Sequence, residues 1–155
     1  MKTLIDLITD EMNATKDMVA NSYREKGLKA SGKFEQDLEV VIEEQTGVIK
    51  ARLLGSSHSY YMQYGRRPNA EQTTKQARSL GHILEQWVKD KGISVNPYAA
   101  AWKIVREGIK VPNTYNSGGV ISDIVNDKWI EGISNKLIAR QTELINSDIL
   151  KIWQP

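Results

Sequence analysis

Between Leu4 and Tyr23 the apolar residues Ile5, Ile8, Met12, Val19 and Tyr23 recur at helical spacing with polar residues between them. This pattern predicts an amphipathic helix that Gly27 stops. After Ser31-Gly32 the period changes to alternation, with Phe34, Leu38, Val40 and Ile42 on one face and Glu35, Asp37, Glu39 and Glu43 on the other. Alternation of this kind predicts a half-buried strand. Glu44 to Gly47 can turn the chain, and Val48 to Leu54 alternates again, Ile49, Ala51 and Leu53 opposing Lys50 and Arg52. An antiparallel hairpin follows. Placing Ile42 opposite Ile49 gathers the apolar residues on one sheet face and sets the acidic row against Lys50 and Arg52, and a slip of one residue would expose the whole apolar set.

Beyond the hairpin, Tyr60-Tyr61-Met62-Gln63-Tyr64-Gly65-Arg66-Arg67-Pro68 fits a short helical turn or a third strand equally well. Asn69 to Gln76 is polar and reads as a mobile loop. Leu80, Ile83, Leu84, Trp87 and Val88 then form a helical stripe that ends before Gly92, and Asn96-Pro97 offers an N-cap with proline at the first position of a shorter helix to Glu107. Val111 to Gly119 is dense in chain breakers and predicts a long loop. From Ile121 to Ile152 apolar residues return at helical spacing, with Gly132 a candidate break between two helices.

These elements predict an α+β fold in which an antiparallel β-hairpin or small sheet packs against N-terminal, central and C-terminal helices. With 155 residues and no composition shift or repeat, the expectation is one domain over 1–155. Within it lie an N-terminal helix at 1–26, the hairpin and tyrosine corner at 30–68, two helices at 74–109, a loop at 110–119 and C-terminal helices at 120–153. Hydrophobic residues at 40% and charged residues at 26% place the chain among folding sequences rather than disordered ones. A net charge of +2 supplies no global field for nucleic acid, and no apolar run approaches the roughly 20 residues that span a bilayer.

Candidate chemistry is sparse. The chain has no cysteine, which excludes disulfides and thiolate chemistry, and its two histidines, His58 and His82, stand outside any spaced ligand motif. Nucleophile elbows, Walker loops and dinucleotide glycine runs are missing, so no catalytic, cofactor or metal residue is assigned and no enzyme is expected. Strand alternation accounts for the acidic row without acid/base chemistry. Tyr60, Tyr61 and Tyr64 beside Arg66 and Arg67 form an aromatic and basic mixture of the kind that stacks on single-stranded nucleic acid, while the same rings can pack on the hairpin with their hydroxyls at the rim. Trp87, Trp102, Trp129 and Trp153 read as core or interface anchors.

The succession of elements resembles the neck or tail-completion proteins of tailed bacteriophages, the tail component or minor tail protein family. The resemblance rests on Ala30-Ser31-Gly32-Lys33-Phe34 entering the strand, the corner Tyr60 to Pro68, the helix Ile83 to Trp87 with its Lys91-Gly92-Ile93 ending, and the Ala-rich helix ending in Gly108-Ile109. It covers about residues 1 to 110. Two departures are Gln63, where the family has an acidic residue before Tyr-Gly, and a longer, more helical C-terminal stretch. The resemblance implies a virion protein without catalytic activity that forms a homo-oligomeric ring at the head-to-tail junction or caps the tail, assembled in the bacterial cytoplasm. Its partners would be copies of itself and neighbouring neck, portal or tail proteins, with no membrane and no nucleic acid beyond DNA passing through the ring; a small nucleic-acid-binding module using Tyr60 to Arg67 is the alternative. Candidate interface residues are Glu35, Asp37, Glu39, Lys50, Arg52, Tyr60, Tyr61, Tyr64, Arg66, Arg67, Trp129 and Trp153.

Overall fold

The computed structural model describes residues 2–69 and 73–153, and it is an α+β fold. Helix α1, Leu4–Glu25, starts at a capping box in which Thr3 and Asp6 each accept the other's backbone N–H. It ends in a Schellman turn, with Leu28 N–H reaching the Tyr23 carbonyl and Gly27 N–H the Arg24 carbonyl. The next expectation fails at its start. Lys33–Gln36 is a helical turn, α2, and the strand β1 runs only over Glu39–Gln45. Phe34 and Leu38 lie four apart, a spacing that places both on one side of a helical turn as well as of a strand, and both are buried.

Strand β2, Val48–Leu54, pairs antiparallel with β1 in the register Ile42↔Ala51, Glu43↔Lys50 and Glu44↔Ile49. The expected pairing of Ile42 with Ile49 is therefore two residues out. The turn is shorter than anticipated: Gln45 pairs with Val48, and Thr46 (φ 47°) with Gly47 (φ 79°) forms the two-residue loop with both φ values positive that suits a tight hairpin. A shift of two keeps every side chain on its own face, so Val40, Ile42, Ile49 and Leu53 still share one side.

Helix α3, His58–Tyr64, settles the tyrosine segment as helical. Helix α4, Thr73–Lys91, begins inside the expected polar loop, of which 70–72 lie outside the described residues. Helix α5, Pro97–Glu107, has Asn96 as its N-cap, accepting from the N–H groups of Tyr98 and Ala99. Helices α4 and α5 pack chiefly on each other: Gly81 leaves room for the Tyr98 ring, whose hydroxyl lies 2.9 Å from His82 Nδ1. Helix α6, Asp127–Ile152, is one unbroken helix rather than two. A Cβ on Gly132 would meet nothing, so that glycine costs the helix only about 1 kcal/mol relative to alanine and does not divide it. Residues 121–126 form turns instead of helix because buried Val120 draws them onto the core and Asn126 caps α6 through the Trp129 N–H.

The core joins Val19, Ala20 and Tyr23 of α1 to Phe34, Leu38, Met62 and Val120, with Leu28, Leu53, Ile121 and Ile124 packed around them. The Tyr23 and Phe34 rings meet at 4.5 Å. Every element before α4, and the long loop after α5, therefore close over the second half of α1.

Candidate functional site: the tyrosine corner and the outer face of α6

Helix α3 turns one side chain inward. Met62 is buried, while the rings of Tyr60, Tyr61 and Tyr64 stand exposed and cluster with one another, centroids 5.9 Å apart for Tyr60 and Tyr61 and 5.0 Å for Tyr60 and Tyr64. They do not fold onto the hairpin. Gln63 faces the long loop, its Oε1 accepting from Ile121 N–H at 3.1 Å and its Nε2 donating to Ser122 Oγ at 2.8 Å. An amide supplies both the donor and the acceptor that these two contacts need.

The corner itself is a crossing of two helix ends. Gly65 follows α3 and Gly108 follows α5, with φ, ψ of 77°, −165° and 74°, −173°, a region that is essentially glycine-only. The following residues, Arg66 and Ile109, exchange N–H and carbonyl hydrogen bonds of 2.8 Å in each direction. A Cβ on Gly65 would strike the Ile109 carbonyl oxygen, and one on Gly108 the Arg66 carbonyl oxygen. Asn69 N–H then reaches the Val105 carbonyl at 2.8 Å. The Tyr-Gly-Arg and Glu-Gly-Ile sequences thus form one junction that ties the end of α3 to the end of α5.

The acidic row is split by α2. Glu35 sits between α1 and α2, accepting from Arg24 Nε at 2.9 Å and lying 3.5 Å from the Lys29 ammonium. The Arg24 hydrogen bond holds its carboxyl below the ordinary value, against a smaller opposing effect of burial. Asp37 caps the end of α2 and Glu39 is exposed at the start of β1, opposite Leu54. On the hairpin's outer face Glu43 stands opposite Lys50 and pairs with Arg52. Such exposed pairs contribute about 0.2–1 kcal/mol. The two tryptophans separate in the same way: Trp129 is half-buried, its Nε1–H donating to Thr15 Oγ1 of α1 at 2.9 Å, whereas Trp153 is exposed past the end of α6.

What pattern reading missed is the extent to which α6 stays uncovered. None of its residues is buried. Antiparallel to α1, it is tied there by Trp129 to Thr15, by Lys136 to Glu11 at 2.6 Å, and by Arg140 to the Lys2 carbonyl. Ile145, Ile149 and Ile152 lie on the side opposite the ties to α1 and are exposed, while Ile138, also exposed, borders Leu4 and Ile8 of α1 in an open groove. Their 7, 4, 3 spacing was visible in the sequence, but only the placement of α1 shows which side they occupy. The long loop is ordered by its asparagines: Asn113 Oδ1 accepts from the N–H groups of Tyr115 and Asn116, and Asn116 Nδ2 donates to the Met62 carbonyl at 2.8 Å, so the loop is braced onto α3.

Among the described residues no cluster of three His, Cys, Asp or Glu could hold a metal ion, and no helix is long and apolar enough to cross a membrane. Comparison with protein-family models, with characterised proteins and with solved structures finds no match.

Proposed function

We propose that the chain is a structural virion protein of a tailed bacteriophage, a neck or tail-completion subunit that forms a ring at the head-to-tail junction beside neighbouring neck, portal or tail proteins. The observation that carries this reading is α6, a 26-residue helix with no buried residue and with Ile145, Ile149 and Ile152 exposed on the side opposite its ties to α1. Contiguous apolar surface of this kind marks an association surface. The order of hairpin, Tyr64-Gly65-Arg66-Arg67-Pro68 corner and Trp87-containing helix supports the same reading through its resemblance to the neck proteins. The hairpin adds both signs of charge at its surface, which favours register between neighbouring subunits. Native mass spectrometry and electron microscopy of the purified chain, alone and with neighbouring virion proteins, test it. A closed oligomer supports the ring, and a monodisperse monomer at high concentration in both settings overturns it.

The exposure of Tyr60, Tyr61 and Tyr64 next to Arg66 and Arg67 favours a second reading, a module that stacks on single-stranded nucleic acid. That reading requires binding that weakens steeply with salt and is abolished in the R66A/R67A variant. No binding at low salt removes it.

A further inference from the structure

Charge is spread unevenly along the chain. Residues 66–110, which include α4 and α5, hold nine of the 21 Lys and Arg but four of the 19 Asp and Glu, a net +5 against −3 in the rest. Elsewhere cations meet carboxylates, as Arg24 and Lys29 do at Glu35, Lys26 at Asp123 and Lys136 at Glu11. Among the described residues none of the nine does. The packing of α4 on α5 then sorts these charges onto sides. The Tyr98 hydroxyl lies 2.9 Å from His82 Nδ1 and the two rings meet edge to face at 5.6 Å, which marks one side of the helix pair. Lys75 and Arg78 lie seven and four residues before His82 and Lys89 seven after it, while Trp102 and Arg106 lie four and eight after Tyr98, so all five share that side. The four cations are exposed, and Trp102 among them is 46% exposed. Glu85, three residues after His82 and 3.8 Å from its Nδ1, opposes them with a single carboxylate.

We infer that this side of the α4–α5 pair, through Lys75, Arg78, Lys89 and Arg106, binds the phosphate backbone of duplex DNA without reading its sequence. Lys75 to Lys89 spans about 21 Å of α4, and a duplex carries one charge per about 1.7 Å of its axis, so one backbone passes every cation of the row. Cations without internal partners cost nothing to redirect to phosphates, and each contact releases a condensed counterion. A single strand suits this side less well, because it is held by successive stacked bases. Trp102 offers one exposed ring here, and the Tyr98 ring is engaged with His82. An acidic face on a second copy also fits less well. The exposed, unpaired carboxylates of the rest of the chain, such as Glu25, Glu44, Asp127 and Glu131, are divided among α1, β1 and α6. The contact requires neither the ring nor the tyrosine segment.

The test is fluorescence anisotropy of the full chain with a labelled, mixed-sequence DNA duplex of about 20 base pairs. Contact with about four phosphates predicts an affinity that falls about a hundredfold between about 50 and 200 mM salt. K75E/R78E is expected to weaken binding at least about tenfold at the lower salt and to flatten the salt dependence, with K89E/R106E as a second pair should the first lose its helical circular dichroism. K33E/K128E makes the same change of net charge on exposed, unpaired cations of the body and is expected to weaken binding less than about threefold. No binding at about 50 mM salt, or an equal loss in K33E/K128E, overturns the inference. A single strand of the same length bound more tightly than the duplex overturns it in favour of stacking. Self-association that K75E/R78E abolishes while the duplex stays unbound overturns it in favour of an acidic face on a second copy.

Discussion

Helices α1 and α6 lie antiparallel and are the two longest among the described residues, yet α1 buries Met12, Thr15, Val19, Ala20, Ser22 and Tyr23 while α6 buries nothing. Composition does not explain the difference, because α6 carries isoleucines and leucines along its whole length while the enclosed half of α1 has none. Location does. The second half of α1 is enclosed by α2, the hairpin, α3 and the loop around Val120, whereas α6 meets α1 along one side and leaves Ile145, Ile149 and Ile152 exposed on the other. A helix apolar on two sides needs two partners, and the chain supplies α6 with one.

That contrast can be broken or sharpened by experiment. The largest effect is expected at the enclosed end: Phe34→Ala removes the buried ring that meets Tyr23 at a tilt and should lower unfolding free energy by about 3–5 kcal/mol in a urea titration. Next comes Gly65→Ala, which forces a side chain into a glycine-only conformation against a carbonyl oxygen and should cost about 3 kcal/mol in the same titration. Thr15→Val keeps the shape but leaves the Trp129 N–H without its acceptor, with an expected loss of about 1–2 kcal/mol and a change in tryptophan fluorescence.

Acid should act through Glu35. Its carboxyl pKa is depressed in the fold by Arg24, so the stabilisation is fully present above the ordinary value of 4.5 and is lost as pH falls through the lower folded value. Glu35→Gln should flatten that part of a melting-temperature profile. The smallest effect belongs to α6: the I149D/I152D change should alter stability of the isolated subunit by less than about 0.5 kcal/mol. A large loss there would mean that α6 is covered within the subunit and would erase the contrast with α1.

Much of the fold was legible because its signals are local. The stop at Gly27, the cap at Asn96-Pro97 and both ends of β2 follow from residues adjacent in the chain. Errors arose where local signals were ambiguous. Phe34 and Leu38 fit a strand and a helical turn alike, Thr46-Gly47 closes the hairpin in fewer residues than Glu44 to Gly47 implied, and Gly132 is tolerated inside α6. In the candidate site, the clustering of Tyr60, Tyr61 and Tyr64 follows from helical spacing, but their outward orientation depends on Met62 being the residue that faces the core.

By itself the sequence determined α1, the second strand, α5, the two faces of the hairpin and the absence of cysteine chemistry, since period, capping and residue type act over a few neighbours. Only the tertiary structure decided that Gly65 and Gly108 meet, that Glu35 serves α1 rather than a strand row, and which side of α6 stays open. These depend on contacts between residues distant in the chain, and helical spacing that yields an apolar stripe carries no record of whether the fold will cover it.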